Sequence, residues 1–232
     1  MSKIKVVKNI LDANNRIANE NKKIFDEYGI FVINLMSSPG AGKTTFLEKI
    51  IPELKEKFNV GVIEGDIQNT YDAEKISKLD VPVVQINTGG ACHIDGNMVK
   101  EALPDLPLED IDILILENVG NLVCPAEFNV GEDLKIMMLS VTEGDDKPLK
   151  YPLMFKVSQA LLINKIDLLE YVDFNIEKAI NDAKKINPEL EIFKISCKNG
   201  NGLEDFLNWL KIKIKKEWIW IQQFLKKKLS HY

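Results

Sequence analysis

The apolar run Phe31-Val32-Ile33-Asn34-Leu35-Met36 feeds into Ser37-Ser38-Pro39-Gly40-Ala41-Gly42-Lys43-Thr44-Thr45, and a helical pattern follows. Strand, glycine-rich turn, then helix is the context in which a phosphate-binding P-loop forms, and it commits the chain to an α/β architecture. Around Pro39 and Ala41, Gly40 and Gly42 let the backbone curl until successive N–H groups face phosphate oxygens. The helix opening at Lys43 adds its unpaired N–H groups and positive dipole end. Lys43 is placed to reach the β- and γ-phosphates, and the Thr44 hydroxyl, beside Thr45, to hold Mg²⁺. Ser37 stands where the pattern normally opens with Gly; that position shapes the turn, and a small residue suffices.

The base is specified farther along. Gln159-Ala160-Leu161-Leu162-Ile163 reads as a buried strand and ends in Asn164-Lys165-Ile166-Asp167. A carboxylate at Asp167 can accept from both guanine N1–H and the exocyclic amine, a donor pair that adenine lacks. Lys165 would lay its aliphatic stem over the purine, and Asn164 would brace the loop. After the next strand, Ser196-Cys197-Lys198 resembles the loop whose backbone amide meets guanine O6. Placed after a P-loop in a chain of alternating strands and helices, these segments point to GTP.

Magnesium and the γ-phosphate call for acidic groups at neighbouring strand ends. Val60 to Asp66 ends one strand, and Ile111 to Glu117 ends another in Glu117-Asn118-Val119-Gly120. The latter occupies the place of an Asp-x-x-Gly switch, with Glu117 for Asp and Gly120 offering its amide to the γ-phosphate. Asp72, on the following helical segment, is a further candidate for the metal shell. Asn121 follows Gly120 where a water-orienting Gln stands in faster GTPases, so slow intrinsic turnover is expected.

Soft ligands lie beside that switch. Gly89-Gly90-Ala91-Cys92-His93 follows the strand Val81 to Asn87, and Cys124 comes shortly after Gly120. Two thiolates and an imidazole suit Zn²⁺ or Ni²⁺. By spacing alone, buried free cysteines are the commoner reading. His231 lies in a polar tail, and Cys197 belongs with the guanine loop.

In order, the P-loop is followed by Glu64-Gly65-Asp66-Ile67-Gln68, then Asn87-Thr88-Gly89-Gly90 with Cys92-His93. Next come Glu117-Asn118-Val119-Gly120-Asn121-Leu122-Val123-Cys124-Pro125, Lys150-Tyr151-Pro152 and Asn164-Lys165-Ile166-Asp167. This succession, across about residues 8 to 210, resembles the HypB family of nickel-insertion GTPases in hydrogenase maturation. The resemblance implies a metal-binding GTPase that passes nickel to a hydrogenase large-subunit precursor with an accessory nickel-insertion protein. It also implies a GTP-promoted homodimer with Cys92, His93 and Cys124 at or near the interface. Some relatives carry an amino-terminal Cys-rich or His-rich nickel motif; the start Met1-Ser2-Lys3-Ile4 has neither. Alternatives are a cofactor-insertion GTPase of the urease-nickel or cobalamin-enzyme type, which the Cys92-His93 and Cys124 arrangement disfavours, and an interaction module that binds GTP without turnover.

Composition fits this reading. At 232 residues and 45% hydrophobic content, the chain suits a single P-loop domain with an amino-terminal helix at about 8–28 and a carboxyl-terminal helical extension at about 203–229. A net charge of −5 argues against nucleic acid as the main partner. Three Cys without a disulfide-framework pattern fit a reducing cytoplasm, and no apolar stretch is long enough for a transmembrane segment. Strands are expected near 30–36, 59–64, 82–87, 111–117, 135–141, 159–164 and 191–195 in a mostly parallel sheet with helices on both faces. Val7, Ile10, Leu11, Ile17, Ile24 and Phe25 are expected to form the face that lays the first helix on the core. Trp218, Ile221, Leu225 and Leu229, with Phe224 and Lys226 to Lys228 beside them, are expected to form a terminal helical face that packs on the domain or a dimer mate. Lys150 reads as a solvated surface lysine.

Overall fold

A computed structural model describes the backbone of residues 6–66 and 71–229, and the side chains of 10–66 and 71–216. The chain opens with a helix, α1 (Val6–Tyr28), and then alternates strands and helices. The strands are β1 (Phe31–Ser37), β2 (Val60–Asp66), β3 (Val83–Asn87), β4 (Ile113–Glu117), β5 (Leu134–Ser140), β6 (Ala160–Asn164) and β7 (Glu191–Lys194). The other helices are α2 (Lys43–Lys55), α3 (Tyr71–Ser77), α4 (Gly96–Ala102), α5 (Cys124–Glu127), α6 (Lys147–Lys150), α7 (Pro152–Val157), α8 (Ile176–Ile186) and α9 (Leu203–Leu229).

The strands form a 7-stranded sheet in the order β3-β2-β4-β1-β5-β6-β7, and each neighbouring pair runs parallel. A sheet covered on both faces needs strands that are apolar on both sides, and β1 is buried along its whole length. Alternation along β1 assigns the faces. Phe31, Ile33 and Leu35 join the core under α2 and α9, whereas Val32 joins the core under α1 and α4, and Met36 the one under α7 and α8.

The first helix departs in part from the expected pattern, although Phe25 is buried and Ile24 packs on the core as expected. Its buried stripe is Asn14, Ala18, Asn21 and Phe25, while Ile10 is 54% exposed. Apolar periodicity misplaces this face because the helix docks partly onto loop backbone, which requires hydrogen-bonding groups rather than hydrocarbon. The terminal face of Trp218, Ile221, Phe224, Leu225 and Leu229 with its lysines, Val7 in the first helix, Ile67 and Gln68 of the acidic segment, and His231 fall outside the described side chains. Among the described residues, no helix is long and apolar enough to cross a membrane.

Candidate nucleotide site and metal centre

All the chemistry gathers at the carboxyl ends of the strands, as expected of an open parallel sheet. The P-loop leaves β1, which lies between β4 and β5. Gly40 and Gly42 take left-handed conformations, with φ of 74° and 103°. A Cβ at Gly42 would come within 2.7 Å of Asn164 Nδ2, so only glycine allows this approach. Asn164 earns its place as a brace: Nδ2 donates to the Ala41 carbonyl at 2.9 Å, and Oδ1 accepts from the Cys197 amide at 3.3 Å. Lys165, itself left-handed at φ 63°, reaches back with Nζ to the Gly40 carbonyl at 2.7 Å. The Ser196 hydroxyl donates to the Asp167 carboxylate. The Asn164–Asp167 and Ser196–Lys198 segments and the phosphate loop are therefore one connected unit.

Lys43 opens α2, and its Nζ lies 3.1 Å from Ser37 Oγ. Burial pushes its pKa down, against the pull of the Glu117 carboxylate, and an anionic phosphate is the partner that would restore its charge. Thr44 Oγ1 donates to Glu117 Oε1 at 2.9 Å. A cavity of about 260 Å³ opens here, lined by Lys43, Asp66, Asp72, Glu117 and Gly120 together with Glu64. All the proposed magnesium-side groups thus meet, although Asp72 also pairs with Lys75 at 3.3 Å.

Glu64 is the residue that sequence reasoning passed over in favour of Asp66. It is paired in register with Glu117 on the adjacent strand, and both carboxyls are buried. Each leaves its Oε2 without a hydrogen-bond partner. Burial, then the neighbouring Glu117, raises Glu64 to about 8; burial, opposed by Lys43 and Thr44, raises Glu117 to about 7. Orphaned carboxylate oxygens beside a threonine hydroxyl form an all-oxygen donor set, which fits a hard dication such as Mg²⁺. A larger cleft, of about 620 Å³, lies at the amino ends of the strands. Its charges are already matched, Lys22 with Asp133 at 2.7 Å and Lys135 with Glu132 at 3.2 Å, so nothing there calls for an anion.

The switch segment presses on the P-loop. A Cβ at Gly120 would lie 2.8 Å from both the Cα and N of Pro39. Asn121 turns its Oδ1 onto the Val123 amide at 2.7 Å, within its own loop.

Cys92, His93 and Cys124 come together, with ligand atoms all within 4.8 Å of one another. Cys92 Sγ lies 2.9 Å from Cys124 Sγ and 3.8 Å from His93 Nδ1. Tetrahedral ligation at Zn–S lengths puts two sulfurs about 3.8 Å apart, so an ion would spread this pair by under roughly 1 Å. His93 stacks on Phe128 with ring centroids 3.9 Å apart, and burial lowers its pKa, which favours the neutral, ligating imidazole. Burial, then the Cys92 thiol, pushes Cys124 up to about 11, so an incoming ion must displace a proton. Cys197 is buried and is not one of these three clustered residues.

Asn118 joins the two sites. Its Oδ1 accepts from the Ile94 amide at 3.0 Å and from its neighbour Val119 at 2.9 Å, and its Nδ2 donates to Asn34 on β1 at 3.1 Å. Ile94, next to His93, also sits on Gly65, where a Cβ would come within 2.5 Å of it. Sequence alone could not have singled out Asn118, because two of its partners, Ile94 and Asn34, are distant in the chain.

This fold, the glycine cradle and the Asn164–Asp167 reader define a P-loop protein of the GTPase class. The family model for the CobW/HypB/UreG nucleotide-binding domain matches residues 31–194. The hydrogenase maturation factor HypB of Escherichia coli K12 is 51% identical over 201 residues, covering 87% of this chain and 69% of that protein. The crystal structure of Helicobacter pylori HypB in complex with nickel superposes with a TM-score of 0.84 at 43% identity, covering 89% of this chain and 97% of that one. The Archaeoglobus fulgidus HypB structure gives 0.82 at 36%, covering 88% and 99%. The chain belongs to the HypB family.

Proposed function

We propose that this chain is a GTP-hydrolysing metallochaperone that binds nickel or zinc through Cys92, His93 and Cys124 and assists nickel insertion into hydrogenase. The relatives named for hydrogenase maturation and the nickel-bound neighbour support the cargo. The observation that carries the reading is Asn118. One side-chain oxygen is bonded both within the γ-phosphate loop and to the residue after His93, so the two sites share a structural element.

In this reading water attacks the γ-phosphate while Lys43 and the P-loop amides stabilise charge developing on the phosphoryl oxygens. Thr44, Glu117, Asp66 and Glu64, with Asp72 beside them, would hold Mg²⁺, whose role is to neutralise β- and γ-oxygen charge. Gly120 donates its amide to the γ-phosphate. Slow turnover is the expectation, because Asn121 stands where a water-orienting Gln would be, and its Oδ1 faces the Val123 amide. Asp167 reads guanine, Lys165 covers the purine, and the Ser196–Lys198 turn meets O6. The working form is a GTP-promoted homodimer in the cytoplasm; Val123, 49% exposed beside Cys124, is the kind of apolar surface such an interface would cover. Partners are a hydrogenase large-subunit precursor and an accessory nickel-insertion protein; the net charge of −5 argues against nucleic acid as the main partner.

Three protein donors leave a tetrahedral or square site one short of closed, which suits release over storage. The test is a Ni²⁺ titration of the GTP-analogue-loaded and GDP-loaded protein, with oligomeric state read in parallel. Affinities should differ by about 1–3 kcal/mol, and Cys92→Ala or Cys124→Ala should remove the difference while guanine binding persists. Equal affinities in the two nucleotide states, in a titration that detects binding at these cysteines, would leave a GTPase with an unrelated metal site.

A further inference from the structure

The three soft donors come from two loops that no strand pairing joins. Cys92 and His93 lie in the segment between β3 and α4, and Cys124 opens α5 after β4. β3 and β4 are not neighbours, because β2 lies between them. Besides the Asn118–Ile94 bond, the buried stripe of α1 is placed to hold the two halves in register.

Asn14 touches both halves. Its Oδ1 accepts from the Gly96 amide at 2.8 Å, and its Nδ2 donates to the Asn129 carbonyl at 2.8 Å. Asn21, two turns along, repeats the arrangement. Its Nδ2 donates to the Gly96 carbonyl at 2.7 Å and to the Val130 carbonyl at 3.2 Å. Gly96 lies just past His93, and Asn129 and Val130 just past Cys124 and Phe128. Both backbone groups of Gly96 are therefore held by the helix that also holds the other half.

Steric evidence agrees. A Cβ on Gly96 would come within 3.1 Å of the Ala18 nitrogen, and a Cβ on Gly131 within 2.8 Å of the Ala18 carbonyl. The two loops press on the same turn of α1 from either side, so closely that each contact point is a glycine. Asn21 even leaves its Oδ1 buried and unpaired, spending its donors on the two carbonyls. An orphaned acceptor in the interior costs free energy, so its persistence fits a position that needs the donors.

We infer that α1 is the positioning element of the metal centre, with Asn14 and Asn21 as staples that set the distance between the Cys92-His93 half and the Cys124 half. This rests on the metal reading above. The staples touch neither metal nor nucleotide; they act through Gly96, Asn129 and Val130. Pre-organisation lowers the cost of gathering donors from separate loops, so loosening a staple weakens the ion while leaving the P-loop alone.

The experiment is a Co²⁺ titration of the full chain, read by thiolate charge-transfer and d–d absorption, with GDP affinity measured on the same samples. Asn14→Ala should weaken Co²⁺ roughly tenfold, the loss expected when one buried and one part-buried hydrogen bond from α1 to the two loops are removed, and should alter the d–d band. Asn14→Asp keeps the acceptor for Gly96 and loses the donor to Asn129, so it should weaken Co²⁺ as well. GDP affinity should stay within about twofold in both, and Asn19→Ala, exposed on the same helix, should match wild type. A second measurement needs no variant: metal loading should slow hydrogen exchange at the Gly96 amide in the wild-type protein. Unchanged Co²⁺ affinity and spectrum in GDP-competent Asn14 variants, or a Gly96 amide indifferent to metal, overturns the staple. If wild type and Cys92→Ala titrate identically, the metal assignment itself is wrong and the staple falls with it.

Discussion

Replacing Gly120 with alanine tests the γ-phosphate loop at its tightest point. The added Cβ would sit 2.8 Å from Pro39 Cα and Pro39 N, where ordinary contact begins at 3.4 Å, so the two segments must separate by 0.6 Å. The obstructing atoms are P-loop backbone and cannot swing aside as a long side chain would. A charge-assisted hydrogen bond from the Gly120 amide at about 2.9 Å would lengthen to about 3.5 Å and cease to count as one. The loss is about 1.5–3 kcal/mol, or roughly tenfold to hundredfold in affinity. It should fall on GTP alone, because GDP has no γ-phosphate to contact. Competition titrations with a non-hydrolysable GTP analogue and with GDP measure both. The variant should bind GDP within about threefold of wild type and the analogue at least tenfold more weakly. Equal loss for both nucleotides would mean that the P-loop absorbs the clash; no loss for either would remove Gly120 from the γ-phosphate site.

Asp167→Asn should weaken GTP and favour xanthosine triphosphate, whose C2 oxygen accepts from the new amide; unchanged GTP affinity would displace Asp167 as the guanine reader. Lys43→Ala should abolish phosphate release and GTP-driven association, and near-normal release by that variant would move the active site elsewhere. The nucleotide- and metal-free protein should lose stability as pH rises from about 5 to 8. In that range Glu64 and Glu117, raised to about 8 and about 7 from an ordinary 4.5, hold protons when folded that they release when unfolded. Urea midpoints across this range in EDTA should therefore fall with pH and fall less in Glu64→Gln; a flat wild-type profile would refute the buried carboxyl pair.

Elements whose signal is continuous in the chain were legible without coordinates. The seven strands lie where alternation and apolar runs put them, and the P-loop, the Asn164–Asp167 turn and the acidic strand ends fall beside one another as their chemistry demanded. Here the sheet is wholly parallel where a mostly parallel one was expected. Residues whose role depends on who their neighbour is were not legible. Glu64 looks like one polar residue in an apolar strand until β2 is known to lie against β4, which sets it beside Glu117. Asn14 and Asn21 interrupt an amphipathic pattern and read as its exposed side. Their partners lie 75 to 115 residues away, and no local periodicity carries that distance. Ile10 lies outside the buried face for the same reason: hydropathy assumes that a helix docks on hydrocarbon, whereas α1 docks partly on peptide groups.

The strand order gives the coupling a physical basis that the motifs alone lack. The loop carrying Cys92 and His93 leaves β3 at the sheet edge, and its partner Cys124 follows β4. To meet, the first loop must cross the end of β2, which carries the Glu64-Gly65-Asp66 shelf of the nucleotide cavity. Ile94 makes that crossing against Gly65, so closely that a Cβ there would lie 2.5 Å from it, and Asn118 catches the Ile94 amide from the far side. The path between His93 and the carboxylates is thus packed side chain and hydrogen bond, with no room for slack. Interiors of this density shift as units rather than deform smoothly. In the proposed coupling, a change of charge or ligand at the Glu64–Glu117 pair would reach the Cys92-His93 loop through Gly65, and a change at Gly120 would reach it through Asn118. Both routes end on Ile94, whose displacement relative to Cys124 is resisted by α1 through Gly96. A metal centre built across this strand end, tied to a helix through Gly96 and to the nucleotide loops through Ile94, would under the proposed function hold an ion in one nucleotide state and loosen it in another.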